Sequence, residues 1–218
     1  MTNFIPIFPL NIVVYPGEQL NLHIFELRYQ QLINECITQE KPFGLPTVIG
    51  NNLQEIGVVL DVVELSNRYT DGKLDIKSTA KRRFRILEYV ERVPEKLYSG
   101  AIVFYLDDEP SVFQRKQSLV IDKLFALHER LGVKKDYKKP REELLSYDIA
   151  HHIGLSLQQE YDLQCLNQEA QRLEYISRHL DRLAIDAQNS DTMVKRIRLN
   201  GEFRSLSLDI DDFNFTKV

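Results

Sequence analysis

The histidines and the acidic clusters of this 218-residue chain lack the spacings of metal sites. His151 and His152 are adjacent, so on a helix they would point about 100° apart and could not hold one ion together. The acidic stretches Asp107–Glu109 and Asp209–Asp212 lack the glycine and the terminal glutamate of a calcium-binding loop. We therefore predict no metal site, and we interpret these residues as surface charges and capping histidines.

The sequence also contains no motif for nucleophilic catalysis or for nucleotide binding. There is no Gly-x-Ser-x-Gly, and neither Cys36 nor Cys165 has a recognisable activated setting. A phosphate loop needs Gly-x-x-x-x-Gly-Lys-Ser/Thr because its backbone N–H groups cradle the phosphates, and the nine glycines offer no such spacing. We predict a protein that is not an enzyme and has no cofactor. The cysteines are expected to be reduced core thiols, with a disulfide as the alternative.

The basic run Lys81–Arg85, which contains Phe84, is the best candidate for contact with nucleic acid. On an alternating strand, Lys81, Arg83 and Arg85 would share one face with Phe84 opposite, which is also the pattern of a half-buried strand. The net charge of −4 gives no general attraction to a phosphate backbone. RNA binding is therefore the alternative hypothesis, and we do not expect nucleic acid as the main partner.

Composition and the N-terminus favour a cytoplasmic globular protein. Hydrophobic residues make up 43% of the chain and charged residues 28%, which is the ordinary globular range. No apolar run approaches the roughly 18 residues that a membrane span requires. The N-terminal residues lack the basic start and the apolar stretch of a secretory signal. We therefore predict no membrane association.

The first half of the chain has the patterns of strands and one helix. Phe4–Leu10 is an apolar run broken by prolines, as in an edge strand, and Ile56–Leu65 is rich in β-branched residues. Between them, apolar residues at helical spacing predict a helix over Phe25–Ile37. Asp71-Gly72 is the strongest hairpin signal of the chain.

The second half has helical periodicity. Ser111 and Gln114 form a capping-box pattern before a helix that Gly132 can end. Further helices are predicted over 141–153, after a second capping box at Ser156 and Gln159, and from Leu173 to as far as Gly201.

These elements predict an α+β fold with a β-rich lobe over residues 1–109, a helical lobe over 110–201 and a tail over 202–218. In the tail, Leu206, Leu208 and Ile210 alternate with polar residues, as in a strand. The tail could add to a sheet edge and occupy a partner's docking surface, or it could be disordered.

Taken in order, several motifs resemble the N-terminal substrate-binding domain family of Lon proteases. The resemblance covers roughly residues 4–187 and is carried by the ordered set more than by any single motif. Its parts are Ile5–Leu10, Val13–Gly17, Leu22–Tyr29, Phe43-Gly44, Ile56-Gly57, Asp71–Lys73, Arg83–Ile86, Leu155–Leu157 and Arg172-Leu173.

The chain departs from this family at three positions, since the family usually has proline where Asn21 and Leu27 stand and glycine where Ala80 stands. Proline in the first turn of a helix is only a preference, so Leu27 is tolerable. A positive φ at Ala80 would cost about 1 kcal/mol or more without glycine. The turn near Ala80 is therefore predicted to differ from that of the family.

The resemblance implies a PUA-like antiparallel β lobe with one helix, followed by a helical lobe, without the ATPase and peptidase of a full Lon protease. It implies a module that holds exposed apolar segments of unfolded proteins or peptides in a groove between the lobes. A protease or ATPase acting in trans would be a further partner, and the protein would be a monomer or a weak dimer. An RNA-binding PUA-like module is the alternative.

The candidate peptide-binding residues are Glu26, Arg28 and Tyr29, which lie in the stretch that the family associates with substrate contact. The structural alternative is that Glu26 and Arg28 pair with each other or with neighbouring strands to fix the lobe. Tyr29 shares the apolar face of the predicted helix, so a place in the core is the alternative for its ring.

Overall fold

A computed structural model describes residues 2–108 and 114–185 of the chain. These residues divide into two units, one within residues 2–107 and the other within residues 108–185. The predicted cap at Ser111, the extension of the last helix beyond residue 185 and the alternating tail lie outside the described residues.

The first unit is a six-stranded antiparallel sheet with one helix, which confirms the predicted α+β class. Its elements are β1 (Thr2–Pro6), β2 (Gln19–Ile24), α1 (Leu27–Gln39), β3 (Phe43–Ile49), β4 (Asn52–Arg68), β5 (Leu74–Val90) and β6 (Gly100–Leu106). The predicted Asp71-Gly72 hairpin joins β4 to β5, where the Tyr69 N–H donates to the Lys73 carbonyl at 2.9 Å. Gly72 has φ of +90°, a conformation that glycine adopts without strain.

The strands bury apolar residues on both faces of the sheet because successive side chains point to opposite sides. On β4, Val58 and Leu60 belong to the larger core, which α1 covers with Leu32 and Ile33. Val59 between them belongs to a smaller core on the other face. The helix therefore lies against one side of the sheet, and its first turn follows directly from the end of β2.

The basic run on β5 does not form a continuous face. A register shift opposite Val59 and Leu60 leaves Lys81 and Arg82 both exposed, while Arg83 is fully buried. Arg83 and Arg85 keep the predicted alternation, with Phe84 between them on the other face. The prediction is wrong for Lys81, because the bulge at residue 81 adds one residue before Arg82. At the same place, Ala80 does not have a positive φ, so its backbone does not require glycine.

The second unit is helical, as predicted. It contains α2 (Gln114–Leu131), α3 (Ser146–Ile149), α4 (Leu157–Gln164) and α5 (Glu169–Ile185), with 3-10 turns at Arg141–Glu143 and Ala150–His152. The capping box at the start of α4 is confirmed, with the Ser156 Oγ accepting from the Gln159 N–H and the Gln159 side chain accepting from the Ser156 N–H.

One helical prediction is wrong, because residues 141–153 form three short pieces instead of a single helix. The backbone is extended at Leu144 and Leu145. The Ser146 N–H, which a continuous helix would bond internally, donates to the buried Glu169 carboxylate at 2.7 Å. A contact with a residue 23 positions away therefore competes with the local helix.

His151 and His152 are 6% and 7% exposed, so they are buried and are not surface residues. His128 and His179 are also buried, and they connect the helices of the second unit. The Nε2 atom of His128 lies 2.7 Å from the His152 carbonyl oxygen, and the Nε2 atom of His179 lies 2.9 Å from the Ile153 carbonyl oxygen. Burial lowers the pKa of His128 below its ordinary value of 6.5, although the hydrogen bond to the His152 carbonyl opposes this shift. A neutral His128 is therefore the form that the folded state favours.

Acidification is expected to destabilise the second unit through His128. As the pH falls below 6.5, the unfolded chain takes up a proton at His128 before the folded chain does. The stability that depends on neutral His128 is complete above this value and is lost as the pH falls through the folded-state pKa. Urea unfolding of the wild type and of His128→Gln, each at about pH 7.5 and 5.5, measures the effect. The drop in midpoint should be smaller for the glutamine variant, and equal drops would contradict the assignment to His128.

Candidate functional site

The three residues predicted to bind peptide lie together at the start of α1. Glu26 has an extended backbone, and its carbonyl accepts from the N–H groups of Tyr29 and Gln30 at 3.0 and 2.9 Å. The Arg28 Nη2 lies 2.7 Å from the Glu26 Oε2, and the Arg28 guanidinium lies 4.6 Å from the centre of the Tyr29 ring. Residues within one helical turn are always close in space, so the sequence was sufficient to predict that these three lie together.

The three side chains differ in their access to solvent. The side chain of Arg28 is 33% exposed and that of Glu26 is 15% exposed, whereas Tyr29 is 4% exposed. The Tyr29 ring packs against Phe8 with 4.1 Å between ring centres. The ion pair is therefore partly buried, with Arg28 the more accessible member and the Tyr29 ring below it in the core.

Four residues around the start of α1 form what we call the β2–α1 patch: the exposed Leu27 and Tyr69, and the half-buried His23 and Phe25. The His23 ring stacks on Phe25 with 6.3 Å between centres and meets the edge of Tyr69 at 5.8 Å. Leu27, the first residue of α1, is 71% exposed, and Tyr69 is 41% exposed. Leu27 follows Phe25 by two residues, so an exposed leucine comes directly after the ring cluster along the chain. Covering such apolar surface with another molecule is favourable.

Asp75 fixes two of the three rings of the β2–α1 patch, those of His23 and Tyr69. Its carboxylate lies 2.6 Å from the His23 Nδ1 and accepts a hydrogen bond from the Tyr69 hydroxyl at 2.7 Å. These two bonds, His23 first, hold the pKa of Asp75 below its ordinary value, and the bond to Asp75 raises the pKa of Tyr69. Asp75 therefore remains an anion at neutral pH and orders the exposed side of the patch.

The β4–β5 hairpin is also tied to α1. The Arg68 Nη2 donates to the Asn34 side-chain oxygen at 2.8 Å, and the Gln30 side chain donates to the Phe25 carbonyl at 2.8 Å. The first bond ties the hairpin that carries Tyr69 to α1, and the second holds the backbone of Phe25. Order that exists before a ligand binds lowers the entropic cost of binding.

Tyr69 and Asp75 were missed by the sequence reasoning. The Asp71-Gly72 turn indicated that residues on either side of it would be close, which could have suggested that Tyr69 and Asp75 are neighbours. The pairing of His23 with Asp75, 52 residues apart, depends on the register of β2 against β5, which periodicity alone does not give.

The second unit contains a cleft of about 630 Å³ beside α2. Arg141 covers the Phe125 ring at 4.5 Å and contacts Asp122, and the remaining rim mixes lysines with acidic residues. This mixture favours no particular ligand charge. Throughout residues 2–108 and 114–185, no group of three or more His, Cys, Asp or Glu side chains could hold a metal ion. In the same part of the chain, the helices are too short or too polar to cross a membrane.

Comparison with solved structures shows the same fold in Lon N-terminal domains. The crystal structure of a Lon N-terminal domain protein from Xanthomonas campestris has a TM-score of 0.63 and 22% identity, over 81% of this chain and 98% of that one. The N-terminal domain of the Mycobacterium avium complex Lon protease has a TM-score of 0.64 and 13% identity, over 82% and 98% of the two chains.

The sequence also matches a family model. The model of the substrate-binding domain of the ATP-dependent protease La (Lon) matches residues 5–182, which is most of the chain and includes every residue of the β2–α1 patch. The order of the motifs, the antiparallel sheet with its single helix and the helical second unit agree with this match. The chain therefore belongs to the Lon substrate-binding domain family.

Proposed function

We propose that this protein is a non-catalytic module that binds exposed apolar segments of unfolded proteins, and that the β2–α1 patch is its contact surface. The observation that carries the proposal is the exposure of Leu27 two residues after Phe25, whose ring stacks on His23. Asp75 holds the rings of His23 and Tyr69 in place. Specific binding sites commonly combine an apolar surface with a few polar groups that set orientation. Glu26 and Arg28 would provide those polar groups, with Tyr29 supporting them from below.

RNA binding has weaker support on the same unit. Arg83 is buried, the Arg82 guanidinium lies over the Tyr105 ring at 3.5 Å, and Lys81 lies 3.7 Å from Asp61. These contacts leave little of the basic run available to phosphates, which favours the peptide hypothesis.

The location of the protein, its oligomeric state and its further partner are also part of the proposal. The protein would act in the cytoplasm as a monomer or a weak dimer, and a protease or ATPase acting in trans would receive the bound substrate. The groove between the lobes that the resemblance implies stays a prediction.

Selective binding of unfolded protein is the expected result of an anisotropy titration with native and permanently unfolded forms of one labelled protein. We expect binding of the unfolded form in the micromolar to hundreds of micromolar range, or about −8 to −5 kcal/mol, because a small surface must offset the cost of ordering the segment. Leu27→Asp should weaken this binding about tenfold, since the apolar contact is lost. The introduced aspartate lies at a helix N-terminus, where a negative charge favours the fold.

Leu119→Asp is the matched control, because Leu119 is 56% exposed on α2 in the second unit. It should bind as the wild type does. Equal losses in the two variants would reject the β2–α1 patch as the contact surface, and equal binding of native and unfolded protein would reject the proposed function itself.

A further inference from the structure

The strand β2 has one open edge within the described part of the chain. On one side it pairs with β5 in an antiparallel register that runs without a shift from Gln19↔Thr79 to Ile24↔Leu74. On its other side, no strand formed by residues 2–108 and 114–185 pairs with it. The register identifies the backbone groups that this edge presents.

Alternate residues of β2 turn their backbone groups away from β5. The Ala80 N–H donates to the Glu18 carbonyl at 2.8 Å, so Glu18 and Ala80 are a hydrogen-bonded pair of the ladder. In an antiparallel pair only every second residue bonds to the neighbouring strand, so Leu20, Leu22 and Ile24 bond to β5. The N–H and C=O groups of Gln19, Asn21 and His23 therefore point to the open edge, and they have no backbone partner among the described residues.

This edge lacks the features that usually prevent strand addition. Exposed edges are commonly protected by charged side chains, proline or a bulge. The sequence of β2, Gln-Leu-Asn-Leu-His-Ile, contains no lysine, acidic residue or proline, and its ladder has no bulge. By contrast, the segment after β1 is covered, since the Phe8 N–H donates to the Gly44 carbonyl at 2.8 Å and the Val48 N–H donates to the Leu10 carbonyl at 2.8 Å.

The edge also continues into the β2–α1 patch. His23 is both the last outward-facing residue of β2 and a ring of the patch, and Phe25 and Leu27 follow it along the chain. A segment paired with Gln19, Asn21 and His23 would therefore end at the β2–α1 patch, which begins with His23.

We propose that the unfolded segment is bound as an additional β-strand on the outer edge of β2, an inference that rests on the proposed function and specifies how it is achieved. The ligand is an extended stretch of about six residues in which apolar and polar side chains alternate. Its apolar side chains continue the face of the buried Leu20, Leu22 and Ile24. On its other face, a polar side chain lies beside Asn21 and an apolar one lies beside His23, where it covers the β2–α1 patch. Backbone hydrogen bonds supply affinity with little dependence on sequence, which suits a receptor for many unfolded chains.

Asn21→Pro tests this mode of binding, with Asn21→Ala as the matched control. Both variants remove the same exposed side chain, but only proline removes the outward N–H and places its ring against an incoming strand. The ladder to β5 does not use the Asn21 N–H, so the fold tolerates proline there, as edge strands do. The probe is a labelled ten-residue peptide of alternating valine and serine with a lysine at each end, titrated by anisotropy beside the unfolded protein.

We expect Asn21→Pro to bind both probes at least tenfold more weakly than Asn21→Ala, with the thermal midpoints of the two variants within a few degrees. Amide exchange gives a second readout on the wild type, in which added peptide should slow exchange at Gln19, Asn21 and His23. Equal binding by the two variants, or unchanged exchange at these amides, overturns strand addition. The proposed function still stands in that case if the wild type binds the unfolded protein. If the wild type binds neither probe, both proposals fail. If proline changes only the molar mass in solution, the edge pairs with a second copy of the chain and strand addition by substrate is rejected.

Discussion

Replacing Arg172 by methionine is expected to lower the free energy of unfolding of the second unit by about 3–5 kcal/mol. Arg172 is 3% exposed, and its guanidinium donates to Glu169 at 3.1 Å, to Asp108 at 2.8 Å and to the Leu166 carbonyl at 2.8 Å. Glu169 is equally buried, and it also accepts from the Ser146 N–H and hydroxyl at 2.7 and 2.6 Å. Methionine fills much of the space but leaves the Glu169 charge buried without its cation.

Arg178→Met on the same helix is the control for this loss. Arg178 forms an ion pair with Glu174 at 2.8 Å, but its side chain is 74% exposed, so its removal should cost less than about 0.5 kcal/mol. Urea unfolding of both variants measures the difference. Adding Glu169→Gln to Arg172→Met should recover part of the stability, since the amide removes the buried charge. Equal losses at Arg172 and Arg178 would show that the buried network does not stabilise the unit.

The sequence predicted those parts of the fold that depend on local signals. The hairpin at Asp71-Gly72, the helix that begins after Phe25 and the cap at Ser156 each follow from residues close together in the chain. The Arg172 network was not predictable in this way, since its partners lie 64 and 26 residues away at Asp108 and Ser146. The same long-range contacts explain why residues 141–153 do not form one helix, because Glu169 binds the Ser146 backbone.

The residues of the candidate site also divide into those that local signals predict and those that depend on tertiary contacts. Glu26, Arg28 and Tyr29 are consecutive or nearly so, and a helix start was sufficient to place them together. The helical spacing had indicated a place in the core for Tyr29, and its ring is buried. The exposure of Leu27 depends on tertiary packing and required the structure. The contributions of His23, Tyr69 and Asp75 depend on strand register, which a single sequence specifies only weakly when polar residues occupy the outer face.

Gly57→Ala is expected to destabilise the first unit by about 2–3 kcal/mol, because the sheet closes tightly around this residue. Gly57 pairs with Pro46 on β3 and with Phe84 on β5. A β-carbon on Gly57 would lie 2.6 Å from the Leu45 carbonyl oxygen and 2.7 Å from the Pro46 Cα, as well as 2.6 Å from the Phe84 ring. Two of these three atoms belong to the backbone, so a change of rotamer cannot relieve the contact.

Gly44→Ala is the matched control, because a β-carbon there would also lie within 3.0 Å of three neighbours. Its nearest atoms are the terminal methyl groups of Ile5 and Ile7, at 2.7 and 2.9 Å, followed by the Phe84 ring at 3.0 Å. These are ends of side chains that can move, so Gly44→Ala should cost less than half as much as Gly57→Ala. Thermal and urea unfolding compare the two variants, and a second substitution added to each provides the test of mechanism. Ile5→Val removes the methyl group nearest to Gly44 and should restore part of the stability of Gly44→Ala. Phe84→Leu should restore little of the stability of Gly57→Ala, because the two backbone atoms stay in place. Full rescue of Gly57→Ala would show that the ring, and not the backbone of β3, sets the requirement for glycine.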